Sequence, residues 1–221
     1  MKRITSLLLI LCILLSGCTD SKEMSDIPNT SDNTTPTEST LILSPLPDTT
    51  MASLSDATVA VSLEEGNAYV DDTGKMQMDL TIYAYDQYDM VDIARLKIGD
   101  IIACHSGDII VTSMEQNEAG TIFINGGLDN GGFDLVTDDN GVFYEVGFND
   151  HKNWYEVGKT TIRVSADFVF TDSSDLDQGE LIFYPGSFLI GEVTNYDFSP
   201  YNTTIRIENS QIVEMNRRYI P

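Results

Sequence analysis

Basic side chains are what this 221-residue chain most lacks: 12 lysines and arginines stand against 35 aspartates and glutamates, a formal charge of −23. A nucleic-acid binder needs a basic face to neutralise phosphates, so that class is excluded. Docking to anionic lipid by charge alone is excluded on the same ground. Three cysteines, two histidines and one tryptophan make soft metal ligands scarce, and no zinc, Walker or dinucleotide spacing occurs. No Gly-x-Ser-x-Gly elbow of a serine hydrolase is present. No segment of twelve or more residues combines helical periodicity with caps. Against these absences, a hydrophobic content of 42% is too high for a disordered acidic chain and calls for a folded core.

The N-terminus carries the most specific pattern. Met1-Lys2-Arg3 precedes an apolar stretch from Leu7 to Leu15, and the small residues Ser16 and Gly17 follow it. As a helix that stretch spans about 14 Å, half of a hydrocarbon core, which fits a cleavable export signal better than a membrane span. Leu15-Ser16-Gly17-Cys18 resembles the lipobox of bacterial lipoproteins. The resemblance implies a signal peptide over 1–17, cleavage before Cys18 and a diacylglycerol on the Cys18 sulfur. The expected location is then the outer side of the cell membrane. Each buried methylene contributes about 0.8 kcal/mol, so two or three acyl chains hold a protein durably in a bilayer. Cys12 leaves with the signal, Cys104 becomes the one remaining thiol, and an intrachain disulfide is ruled out.

Residues 18–56 read as the lipidated cysteine and a flexible tether. Fifteen of the 38 residues after Cys18 are Ser or Thr, four are Pro and none is aromatic. Such a segment buries too little to offset its ordering entropy, and as a coil it reaches on the order of 35 Å. Leu41, Ile42 and Leu43 are an apolar island within it, suited to docking or to a stray strand. Residues 57–221 read as one β domain. Short β-rich runs alternate with turn chemistry, at 58–63, 68–70, 75–85, 101–104, 108–115, 121–125, 133–137, 142–148, 156–165, 167–171, 180–184, 203–208 and 211–219. Met76, Met78, Leu80 and Ile82 fall on one face, and Asn140-Gly141 is the strongest hairpin signal. One short helix is expected from Ser187. The fold class is all-β: a mostly antiparallel sandwich or partly open barrel with at most one short helix. The stretch 96–102, with its bend at Gly99, resembles the loop that enters a strand in small barrels. The C-terminal half, from Ile124-Asn125-Gly126-Gly127 to Arg217-Arg218-Tyr219-Ile220-Pro221, is similar to domains in lipoproteins of Gram-positive gut bacteria. That resemblance implies a habitat and no mechanism.

Three groups of residues suggest chemistry. Asp129 with Asp134, Asp138 with Asp139, and the acids between Asp172 and Glu180 are oxygen ligands of the kind calcium needs. Turn formation explains the same residues without a metal, no EF-hand spacing is present, and no other cofactor is expected. Cys104 and His105 are neighbours, but strand neighbours face opposite ways, and an acidic domain disfavours a thiolate. Asp150, His151, Trp154 and Tyr155 together suit a ligand platform for sugars, although tyrosines in β domains mostly pack across strands. The function expected is non-catalytic: a surface lipoprotein displaying a binding or interaction module for a glycan or a surface protein. The alternative is a carboxylate-based hydrolase of cell-wall or dietary glycans, which requires two acids across one cleft beside Trp154. The anchor is testable by fractionation. Cys18→Ser is expected to move the protein from the membrane to the soluble fraction, and retention in the membrane would refute lipidation.

Overall fold

The computed structural model describes residues 41–44, 53–191, 193 and 196–220; Cys18 and most of the expected tether lie outside them. In chain order the strands begin with β1 (Ile42–Leu43), β2 (Ala57–Ser62), β3 (Ala68–Val70), β4 (Met76–Ala84) and β5 (Gln87–Tyr88). A one-turn helix α1 (Met90–Ile93) leads to β6 (Ile101–Ile102), β7 (Ile109–Ile110), β8 (Met114–Gln116), β9 (Ile122–Ile124), β10 (Phe133–Thr137) and β11 (Phe143–Glu145). The chain then forms the 19-residue β12 (Tyr155–Ser173), β13 (Leu181–Phe183), helix α2 (Pro185–Ile190), β14 (Thr203–Glu208) and β15 (Gln211–Arg218).

β2, β4, β12, β15 and β14 pair in a closed circuit, because β14 returns to β2. Numbered along the chain, these five strands run 1-2-3-5-4-1, with the third and fifth parallel and every other pair antiparallel. A helix lies between the third and fourth strands. This Greek-key circuit is that of the OB-type barrel. Of the two expected architectures, the barrel is the one formed.

Closure rests on β12. Its first half, from Tyr155 to Arg163, pairs with β4, and from Arg163 onward it pairs with β15. The runs 156–165 and 167–171 are therefore one strand. The polar Ser165–Asp167 stretch interrupts the alternation, but the backbone absorbs it as an irregularity between Val164 and Val169. Period-two alternation fixes which way each strand faces. Met76, Met78, Leu80, Ile82 and Ala84 of β4 are buried, whereas Gln77, Asp79, Thr81 and Tyr83 face outward.

The barrel core joins these residues to Val59, Val61, Ile162, Phe168, Phe170, Ile205, Ile212 and Met215. Phe188 of α2 inserts edge-on against Phe168 and Phe170, with centroids 5.7 and 5.3 Å away. Each buried phenylalanine contributes about 1.5–3 kcal/mol, and each such ring pair about 0.5–1.5 more. The helix expected from Ser187 starts two residues earlier. Pro185 presets the first helical φ, and Ser187 Oγ accepts the Tyr184 N–H at 2.8 Å from inside the first turn. α1 is a second helix, beyond the one expected. Asp89 caps it by accepting the Val91 N–H at 2.7 Å, and four residues are too few to show periodicity.

Residues 85–154 are inserted between the second and third barrel strands. They form a five-stranded sheet in the order β5-β11-β10-β9-β8 and, with β1, a three-stranded sheet β1-β6-β7. A second core of Tyr88, Ile93, Leu96, Ile102, Val111, Ile124, Phe133 and Leu135 supports them. The apolar island docks here: β1 runs parallel to β6, and Leu43 is buried in this second core. The bend at Gly99 (φ +95°) occurs as expected, in the insertion and not at the mouth of the barrel.

Candidate functional site

The four residues expected to form a ligand platform make three separate contacts. Trp154 packs edge-on against Tyr85 at 4.8 Å, and the Lys152 ammonium sits 3.8 Å from the Tyr85 centroid and donates to its hydroxyl. Tyr155, the next residue, turns the other way and stacks flat on the His105 ring at 3.7 Å. His151 lies 5.6 Å from the Tyr201 ring, and Asp150 is exposed in a turn at φ +60°. Each of the three rings thus packs on a partner of its own.

Several of the candidate calcium ligands are engaged in turns or an ion pair. Asp138 Oδ1 accepts the N–H groups of Asn140 and Val142, each at 2.9 Å, which holds its carboxyl below the usual carboxylate range. Asp134 Oδ1 accepts the Leu128 N–H at 3.0 Å, and Asp129 and Asp139 are exposed. Asp175 closes its own turn on Asp177, and Asp172 pairs with Arg217 at 3.3 Å.

A different set converges among the described residues. Asp86, just after β4, Cys104, just after β6, and Glu145, at the end of β11, each bring one ligand atom within 4.8 Å of the others. Asp86 is 3% exposed, and its Oδ2 accepts the His105 N–H at 2.6 Å. Asn153 donates to Glu145 at 2.9 Å, and the Tyr88 hydroxyl is shared between the Ala103 carbonyl at 3.0 Å and Cys104 Sγ at 3.3 Å. Burial raises the Glu145 carboxyl above its ordinary range, opposed by Asn153 and reinforced by Asp86. Burial also pushes the Cys104 thiol up to about 11, with Glu145, Asp86 and Asp108 adding to it against the Tyr88 hydrogen bond. That shift disfavours the thiolate form. No sequence motif announces this cluster, because its members are 18 and 41 residues apart and meet only through strand pairing.

The outer face of β4 and β12 is the other polar concavity. The register sets Thr161 opposite Asp79, Lys159 opposite Thr81 and Arg163 opposite Gln77. These strands and the loop after β2 wall a groove of about 340 Å³ lined by Glu64, Asn67, Asp79, Thr81, Lys159 and Thr161. Thr161 Oγ1 donates to Asp79 at 2.6 Å, and Tyr69, from β3, donates to the same carboxylate at 3.4 Å. Burial and the Asp79 charge raise the Tyr69 phenol above its ordinary value. Two of the nine basic residues of 57–221, Lys159 and Arg163, stand on this face. A wider groove, of about 480 Å³, lies over β12, β14 and β15. There Arg206 is already paired with Glu214 at 2.9 Å and with Glu208. In comparisons with known proteins, no family model, curated protein or solved structure matches this chain.

Asp71 shapes the end of the β4–β12 face by closing the turn between β3 and β4. It accepts the N–H groups of Thr73 and Lys75 at 2.9 Å and the Gln77 amide at 2.7 Å. The Lys75 N–H, then Gln77 and Thr73, hold its carboxyl far below the ordinary range. The stabilisation that results is complete above the unfolded value near pH 4 and is lost as acid protonates the folded carboxylate. The melting-temperature gap between wild type and Asp71→Asn is therefore expected to be widest near neutrality and to shrink from about pH 4 downward. A gap independent of pH would refute this role.

Proposed function

We propose that this chain is a lipid-anchored surface protein whose β domain is a non-catalytic binding module, with the β4–β12 face as its ligand surface and a neutral or weakly charged glycan as its ligand class. The observation that carries the reading is the groove on that face. In OB-type barrels the face of the second and third strands and the adjoining first loop take oligonucleotides or oligosaccharides. Here those elements are β4, β12 and the loop holding Glu64 and Asn67. An excess of 35 acidic over 12 basic residues repels a polyanion, which leaves the sugar polymer.

The side chains suit that ligand independently of the fold. Asn67, Thr81 and Thr161 both donate and accept, Lys159 donates and Asp79 accepts, which matches a row of hydroxyls. Tyr69 and Tyr83 stand beside the groove, and ring faces are the usual partners of sugar C–H faces. A diacylglycerol on Cys18 and a Ser/Thr/Pro-rich tether would hold this module at the outer side of the membrane, within reach of wall or dietary polymers.

The hydrolase reading has one observation in its favour, the approach of Asp86 to Glu145. With Asp86 3% exposed, a glycosidic bond has no line of approach between them, so binding is the better supported reading. A glycan array probed with the full chain tests it. Retention of neutral oligosaccharides, recovered intact, is expected. Asp79→Ala with Lys159→Ala is expected to weaken that retention at least about tenfold at an unchanged melting temperature. A silent array, or retention indifferent to both substitutions, would refute it, and cleavage of the retained sugar would favour the hydrolase.

A further inference from the structure

Asp86, Cys104 and Glu145 lie away from the β4–β12 face, and neither the groove nor the anchor uses them. We propose that they form a binding site for one divalent cation of the zinc class. Each side chain presents one ligand atom, and the three atoms lie within 4.8 Å of one another. From that spacing, modest side-chain rotation would bring all three onto one ion, which takes carboxylate oxygen at about 2.0–2.2 Å and sulfur at about 2.3 Å.

Charge argues for an occupant. Two carboxylates and a thiol meet where Asp86 is 3% exposed, and among the described residues no salt bridge reaches either carboxylate. A buried carboxylate such as Asp86 is stable when paired, hydrogen-bonded or bound to a metal, and among the described residues no lysine or arginine pairs with it. Lys152 of the insertion rim is committed to the Tyr85 ring and hydroxyl.

The surroundings argue for a metal in particular. Each ligand is oriented by a donor from outside the trio: the His105 N–H on Asp86, the Asn153 amide on Glu145 and the Tyr88 hydroxyl on Cys104. Outer partners of this kind fix the geometry of protein metal ligands. The His105 ring is held in turn by its stack on Tyr155. Sulfur selects the ion, since calcium and magnesium take oxygen, whereas zinc accepts thiolate and carboxylate together. Three protein ligands leave a fourth tetrahedral position for water.

Binding breaks the S–H bond of Cys104, forms a sulfur–metal bond and releases one proton to solvent. Since binding displaces that proton, affinity should rise with pH. The cation needs no oxidant or reductant.

Cadmium is the spectroscopic probe, used on the full chain with C12S and C18S so that Cys104 is the lone thiol. After reduction and treatment with EDTA, Cd²⁺ is expected to raise an ultraviolet thiolate-to-cadmium absorption that saturates at one ion per chain. Zn²⁺ is expected to displace it and Ca²⁺ to leave it in place. C104A should abolish the signal. D86N, which keeps an acceptor for the His105 N–H, and E145Q should each weaken binding at least about tenfold. Alkylation of Cys104 provides a readout that requires no variant at the site, and Zn²⁺ is expected to slow it at least about tenfold. Absence of the absorption, affinity unchanged in both D86N and E145Q, or alkylation indifferent to Zn²⁺ would each overturn the proposal.

Discussion

The pairing of one strand with two different neighbours is the constraint on which the remainder of the structure depends. β12 lies against β4 over its first half and against β15 over its second, and the five barrel strands close only because both pairings form. Closure gives each barrel strand a neighbour on both sides, which limits the open edges that invite aggregation. It also places the hydrophobic row of β4 inside and the row Gln77, Asp79, Thr81 and Tyr83 outside, beside Lys159 and Thr161. The polar groove is thus a consequence of register. A slip by one residue would turn Asp79 inward and Met78 to solvent.

The same pairing explains where the insertion sits. Ala84 and Tyr155 are register partners, so a segment of about 70 residues leaves and re-enters the barrel at one point. Asp86, His105 and Tyr155 meet at that point: the His105 N–H holds Asp86 while its ring lies on Tyr155. Glu145 and Asn153 arrive from the far end of the insertion, through β11 and the rim that follows. The insertion has its own core, and Leu43 from the expected tether completes it.

How much of this was legible before folding follows from the range of each interaction. The alternation of β4, the hairpin across Asp138–Gly141 and the last hairpin are local patterns, and each forms where residue order indicates. The island Leu41–Leu43 stood out from its Ser- and Thr-rich surroundings because it is apolar, and it docks. The unity of β12 was hidden, because Ser165 and Asp167 look like a boundary and only a change of neighbour makes an irregularity there tolerable. The acids at 129–139 stood out by density, although two of the four, Asp134 and Asp138, accept backbone N–H groups in turns. Asp86 and Glu145 did not stand out, and Cys104 did so only beside His105, since the three are far apart in the sequence. Trp154 and Tyr155 drew attention as neighbours, yet strand alternation sends them to different partners.

Backbone amide hydrogen exchange tests barrel closure most directly. If β12 closes the circuit, the paired amides of β4 and of the first half of β12 are protected to the same degree as those of β14 and β15. All four sets then open together in one global event. Protection of β14 and β15 alone, with the amides of 77–84 and 155–163 exchanging at loop rates, would contradict it. The groove and the meeting point of the insertion would then lose their common foundation.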